Sequence, residues 1–188
     1  LPSVKRVTHV AHDLICASVC PGDVVIDATA GNGNDTLFLA KLVGEDGRVY
    51  AFDIQYKALL STRERLNSEE ISTTVSYHLA SHTDLARFVP SASAVMFNLG
   101  YLPGADHGTI TRKASTIEAL EGAANILSPG GVITCICYPG HEGGLEEAEA
   151  VLTWAEAHSS YRKVTVMNEK DRLEGRPFLV SLTNIPID

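Results

Sequence analysis

The strongest constraint on this chain is the run from Val24 to Ala40, Val-Val-Ile-Asp-Ala-Thr-Ala-Gly-Asn-Gly-Asn-Asp-Thr-Leu-Phe-Leu-Ala. It opens on β-branched apolar residues, which read as a buried strand. It closes on Thr36 to Leu42, which reads as a helix. Gly31 and Gly33 lie between the two. Strand, glycine turn and helix in that order make the nucleotide-binding unit of doubly wound α/β folds. Glycines let backbone approach a ligand closely, and a helix start offers N–H donors with no partner inside the helix. The fold expectation is therefore α/β and Rossmann-like.

The turn also selects among ligands. A dinucleotide fingerprint needs a third glycine, and Thr36 stands at that position. Asp27 ends the strand directly under the turn, where a carboxylate repels a pyrophosphate but suits a cationic ligand. A second apolar strand, Arg48 to Phe52, ends in Asp53, which follows Gly33 by about the ~20 residues expected of a ribose-hydroxyl acceptor. S-adenosylmethionine carries a sulfonium, an ammonium and a ribose, and no phosphate. The two acids and the glycine pair together point to it as cofactor.

The rest of the chain alternates strands and helices. Val7, Val10, Ala11, Leu14, Ile15 and Val19 recur at helical spacing, which predicts a helix over Ser3 to Cys20, ended by Pro21-Gly22. His12 and Cys16 share a face of it. The paired cysteine spacing of structural zinc sites is missing, so the expectation is no metal, with Cys16 and Cys20 packed as small thiols. Strands are expected at Thr73 to Leu79, Ala94 to Phe97 and Val132 to Tyr138, and near Tyr161 to Met167 and Phe178 to Thr183. With the first two they make a seven-stranded, mostly parallel sheet with helices on both faces. Helices are expected over Tyr56 to Leu66, Ala114 to Leu127 and Leu145 to His158. The last carries Glu146, Glu147, Glu149 and Glu156 on its solvated side.

Ligands of open parallel sheets sit beyond the carboxyl ends of the strands. His82, after the third strand, is placed there beside the adenine. The fourth strand, beside the first, ends in Asn98-Leu99-Gly100-Tyr101. Asn98 should then stand next to the methyl donor. Its side-chain carbonyl and the Leu99 carbonyl can accept both hydrogens of an amine. Tyr101 can cover the pocket or stack on a base. A polar loop with Asp106 and His107 follows, and Arg112 and Lys113 are candidate phosphate contacts. Tyr138, Pro139 and His141 lie in a glycine-rich loop at the same sheet edge, with His141 able to take a proton or position a substrate. Lys170, Arg172 and Arg176 form a second candidate basic patch.

At 188 residues, 45% hydrophobic and 20% charged, one domain over 1–188 with an N-terminal helix over 1–20 is expected. A net charge of −8 argues against a broad nucleic-acid surface. No apolar run reaches the ~20 residues of a membrane helix. Four cysteines without a scaffold pattern suit a reducing compartment, the cytoplasm or, after loss of a transit peptide, a plastid stroma. Homodimerisation stays open.

Four segments, Asp27 to Thr36, Phe52 to Gln55, Phe97 to Gly104 and Tyr138 to Gly144, stand in the order and spacing of one family. From about His12 to Pro177 the chain resembles the small bacterial and plastid methyltransferases labelled "putative rRNA methylase". The resemblance implies a class I S-adenosylmethionine-dependent methyltransferase. It further implies the MnmM-type reaction, N-methylation of 5-aminomethyl-2-thiouridine at the tRNA wobble position. Carried over by position, Thr29, Ala30, Gly31, Asn32, Gly33, Asn34, Asp35, Asp53, Ile54, Gln55, His82 and Asn98 make the cofactor site. Asn98, Leu99, Tyr101 and His141 are the catalytic set, with Gly100, Asp106, His107, Arg112, Tyr138 and Pro139 on the substrate side. The chain departs from the family at Glu174 to Phe178, where one proline stands in place of an Asn and a double proline. Rival readings are an rRNA or small-molecule methyltransferase, a nicotinamide-dependent oxidoreductase and a non-catalytic binding module.

Overall fold

A computed structural model describes residues 6–100, 112–160 and 162–185. The elements run α1 (Val7–Ser18), β1 (Val24–Asp27), α2 (Asn34–Val43), β2 (Arg48–Asp53), α3 (Tyr56–Ser68), β3 (Thr74–Leu79), α4 (Leu85–Phe88) and β4 (Ala92–Asn98). After the segment 101–111 come α5 (Lys113–Ile126), β5 (Leu127–Cys137), α6 (Gly144–His158), β6 (Lys163–Met167) and β7 (Phe178–Thr183). The strands form one sheet in the order β3-β2-β1-β4-β5-β7-β6. β7 runs antiparallel to both of its neighbours. The pairs among β1 to β5 are parallel. The seven-stranded, mostly parallel, Rossmann-like expectation holds.

Side-chain alternation along the central strands builds a core on each face. Val95 and Phe97 of β4 point with Ile26, Ile133 and Cys135 into a cluster that includes Leu120 of α5 and Val151 of α6. Ala94 and Met96 point the other way, with Val25, Val49 and Val132, toward Ala11 and Ile15 of α1 and Leu39 of α2. Thus α1 lies on the α2 face of the sheet. The order reverses at β1, with β2 on one side and β4 on the other, so the carboxyl ends of β1, β2 and β4 define the switch-point crevice.

Several local expectations shift. α1 ends at Ser18, with the Val19 N–H donating to the Ile15 carbonyl at 2.9 Å. Cys16 and Cys20 are exposed, not packed in the core. The buried thiols are Cys135 and Cys137, 3.9 Å apart on one face of β5. Ser128 to Gly131, expected to cap a helix, fall inside β5, whose register with β4 shifts between Ala92 and Ala94. Glu147 is not on the solvated side of α6. It is 3% exposed and accepts the Thr116 hydroxyl at 2.6 Å, which joins α6 to α5. In the segment between β6 and β7, Arg172 pairs with Glu169, and Arg176 pairs with Asp171 and Glu174. The basic patch expected there is largely neutralised by its own acids. No helix among the described residues is long and apolar enough to cross a membrane.

Candidate active site

The glycine turn leaves β1 and is held from both sides. The Ala28 N–H donates to the Met96 carbonyl of β4, and the Ala30 N–H to the Phe52 carbonyl of β2, both at 2.9 Å. Behind the turn the Thr62 hydroxyl donates to the Gly31 carbonyl at 3.2 Å, and Arg65 Nε to the Asn32 carbonyl at 2.7 Å. Gly33 caps α2 in a left-handed conformation at φ +79°. A Cβ there would lie 2.7 Å from the Thr62 Cα, so both the backbone angle and the close approach of α3 require glycine.

Asp53 organises the turn as a ligand platform. One carboxylate oxygen accepts the Gly31 N–H at 3.0 Å and the other the Gln55 N–H at 2.8 Å. A carboxylate has about four acceptor sites, so Asp53 keeps capacity for a ribose hydroxyl beside these bonds. Burial raises the Asp53 pKa from its ordinary value, and the Gln55 and Gly31 backbone bonds oppose that rise. Ile54, next in sequence, is 58% exposed, as is Leu79, the residue paired with Asp53 on β3. Two uncovered apolar side chains at adjacent strand ends suit the faces of a flat ring. Leu79 was not among the sequence-derived candidates; an apolar residue closing a strand at the ligand edge was its only signal.

Asp27 is not a ligand group. It is 1% exposed, and its oxygens accept the Thr29 N–H at 3.1 Å and the Thr36 hydroxyl at 2.5 Å. The residue at the third-glycine position is therefore a hydroxyl that satisfies a buried carboxyl. Burial, and then the charge of Asp35, push the Asp27 pKa up to about 7.

A further carboxylate at these strand ends is Asp35, in the first turn of α2. Its Oδ1 receives His12 Nε2 at 2.8 Å, and its Oδ2 receives Asn98 Nδ2 at 3.1 Å. The Asn98 N–H donates to the Thr29 hydroxyl at 2.8 Å. The asparagine corner is thus bonded twice to the glycine-turn unit. With its NH2 end on Asp35, the amide keeps its carbonyl oxygen as the group to offer a substrate. The Leu99 N–H donates to the Ile136 carbonyl at 3.0 Å, fixing the next peptide.

On the neighbouring edge, Tyr138 and His141 flank Gly100. A Cβ on Gly100 would come within 3.8 Å of His141 Nε2 and of the Tyr138 ring. Gly144 makes room for both, since a Cβ there would lie 2.5 Å from the Tyr138 carbonyl and 3.0 Å from the His141 ring. His141 Nδ1 bonds the Glu142 carbonyl at 3.0 Å. Burial, and then the charge of Asp35, raise the Tyr138 pKa. Pro139 is buried, and Gly140 meets the Gly175 backbone, so the β5–α6 loop rests on the segment before β7.

Hydrogen bonds thus bring Thr29, Ala30, Gly31, Asp35, Asp53, Gln55 and Asn98 together around the glycine turn, with Asn32, Gly33, Asn34 and Ile54 adjoining them in sequence and Gly100 beside Tyr138 and His141. His82 is buried, edge-on to Phe97 with ring centroids 6.0 Å apart. Burial lowers its pKa, against a hydrogen bond to the Ala28 backbone that raises it. It supports the floor of the turn more than it faces a ligand. Arg112 is exposed at the start of α5. Tyr101, Asp106 and His107 lie outside the described residues. The sequence reading missed the place of His12 in this network.

A family model described as "Putative rRNA methylase" matches residues 49–182. A chloroplastic tRNA (mnm5s2U34)-methyltransferase of Arabidopsis thaliana is 43% identical over 159 residues, 78% of this chain and 58% of that protein. The chain therefore spans little more than half of that relative. A solved "putative rRNA-methylase" from Clostridium thermocellum is 40% identical, with a TM-score of 0.91 over 96% of this chain and 98% of that one. A "putative methyltransferase" from Streptococcus mutans, solved with S-adenosylhomocysteine, is 34% identical, with a TM-score of 0.85 over the same shares. With its family-model match running from β2 into β7, this chain belongs to the putative rRNA methylase family.

Proposed function

We propose that this chain is an S-adenosylmethionine-dependent N-methyltransferase. Its substrate is the 5-aminomethyl group of (2-thio)uridine at the tRNA wobble position, and its product the 5-methylaminomethyl base. One observation carries the reading. Asn98, the residue able to hold an amine, is hydrogen-bonded to Thr29 and Asp35 of the unit that would hold the methyl donor. The Arabidopsis relative, named for the same modified base, supports the substrate, and the Streptococcus mutans neighbour supports the cofactor.

The residues present fit this cofactor. Asp53 has lone pairs for a ribose, Ile54 and Leu79 give apolar surface for the adenine, and no cation in the turn calls for a phosphate. When bound, S-adenosylmethionine supplies a sulfonium methyl to an in-line nucleophile. The chain's own residues supply placement, which is where most of the rate in such a displacement comes from. The Asn98 and Leu99 carbonyls accept the amine's hydrogens, which leaves the nitrogen lone pair directed at the methyl. Tyr138 and the Gly100 backbone bound the acceptor side. His141 takes the proton that the nitrogen loses after transfer. An unpaired wobble base, stacked on tyrosine, needs little contact with the rest of the tRNA.

The test is mass spectrometry of nucleosides from tRNA carrying 5-aminomethyl-2-thiouridine, after incubation with protein and cofactor. A gain of one methyl on that nucleoside is expected, and its absence rejects the reading. The charge of −8 favours one rival, a small-molecule methyltransferase. Activity in a cell extract that survives RNase would support that rival.

A further inference from the structure

The geometry points to His12, on a helix outside the glycine-turn unit, as a positioning residue for the amine-holding corner. It acts through Asp35 on the amide of Asn98. This rests on the methyl-transfer reading above and adds a residue to it.

Three side chains from three elements form a chain of hydrogen bonds. His12 Nε2 of α1 meets Asp35 Oδ1 of α2 at 2.8 Å, and Asp35 Oδ2 takes Asn98 Nδ2 of β4 at 3.1 Å. A carboxylate only accepts, so His12 carries its proton on Nε2. The imidazole has little freedom. It lies flat on Phe38, with centroids 3.8 Å apart and planes 5° apart. Ala11 and Ile15, buried on either side of it along α1, fix the helix against the sheet. A rigid donor thus holds one carboxylate oxygen and leaves the other for Asn98.

The chemistry needs that choice. An asparagine amide has two ends, and only its carbonyl end can accept an N–H from an amine. Turned over, its NH2 would donate to the nitrogen lone pair, the electrons that must attack the methyl. Asp35 sets the orientation by taking the NH2. His12 keeps Asp35 in place to do so, as a supporting side chain does for a group that touches substrate.

Three variants test the assignment: His12→Phe, which keeps the ring stack and loses the donor, His12→Gln, which restores an amide N–H, and Asn98→Ala. His12→Phe should lower kcat for aminomethyl-uridine tRNA about tenfold or more. The KM for S-adenosylmethionine and the thermal midpoint should stay near wild type. His12→Gln should recover most of the rate. In the Asn98→Ala background, His12→Phe should cost nothing further, because its effect passes through Asn98. An equal loss in both backgrounds, or a loss of cofactor affinity or folding in step with rate, overturns the proposal. One readout needs no turnover. The side-chain amide resonances of Asn98, identified by their loss in Asn98→Ala, should shift and exchange faster with solvent in His12→Phe. Unchanged resonances overturn the proposal too. A wild-type protein that makes no product rejects the methyl-transfer reading alone, while the resonances still decide the role of His12.

Discussion

Asp27 lies next to the ligand turn, yet its hydrogen bonds serve the fold. It is held by Thr29 and Thr36 beneath the turn, and burial pushes its pKa up to about 7. An unfolded aspartate ionises near pH 4. Between the two values the folded chain keeps a proton that the unfolded chain has lost, so stability falls as pH rises from about 4 to 7 and then levels off. His78 and His82 act in the opposite sense. Burial lowers both of their pKa values, so their contribution is full above about 6.5 and is lost as pH falls from there through the lowered folded values. Asp27→Asn removes only the first effect. Urea unfolding should show the variant gaining on wild type from pH 5 to 7, by at most about 1.4 kcal/mol per pH unit, with no further gain above 7. A difference independent of pH would mean that Asp27 is ionised in the fold throughout. Asn98 lies at the other end of the same network and has a different duty. Asn98→Ala should lower kcat by about a hundredfold while S-adenosylhomocysteine affinity in calorimetry changes by less than about threefold. A comparable loss of affinity would move Asn98 from the acceptor corner into cofactor binding.

The meeting of α2 and α3 behind the turn depends on Gly33. Its φ of +79° and the Thr62 Cα 2.7 Å from a would-be Cβ leave no slack, since the obstacle is backbone. Gly33→Ala should cost at least about 2 kcal/mol and weaken S-adenosylhomocysteine binding with it. Gly130→Ala, also left-handed at φ +76° but with nothing within 4 Å, should cost only about 1 kcal/mol and leave binding intact. Denaturant unfolding and calorimetry on both variants separate crowding from backbone strain. Elements such as these were legible where their cause was local. The β1 run, the glycine pair and the spacing to Asp53 sit in adjacent units, and Asp53 does accept the Gly31 N–H. The strand order then put Asn98 beside the turn. What escaped the sequence has distant partners. Glu147 reads as solvated on its own helix, but its hydroxyl partner Thr116 is 31 residues away. His12 reads as half of a metal pair, while Asp35, 23 residues on, claims its ring. Asp27 looked like a ligand group because no local pattern shows that Thr36 folds back onto it.

Over the whole molecule, charge sets how a polyanion can be held. The chain carries 23 acids against 15 lysines and arginines. Lys41, Arg87, Arg172 and Arg176 are committed to carboxylates in the fold. Arg112 and Lys113 remain exposed at the start of α5, on the chain that leads away from Asn98. The proposed wobble-base substrate would then be gripped at that base and by few phosphates, in contrast to a nucleic acid held along its backbone. Each phosphate neutralised on a single strand adds about −0.7 to the slope of log affinity against log salt. The affinity for an anticodon stem-loop should therefore follow a slope of about −2 or shallower in a KCl titration. Replacing Arg112 and Lys113 together with alanine should flatten that slope by about 1.4 if both touch phosphate. A wild-type slope steeper than about −4 would reveal broad phosphate contact and overturn the loop-only grip. An unchanged slope in the double variant would move the phosphate contacts to other cations of the chain.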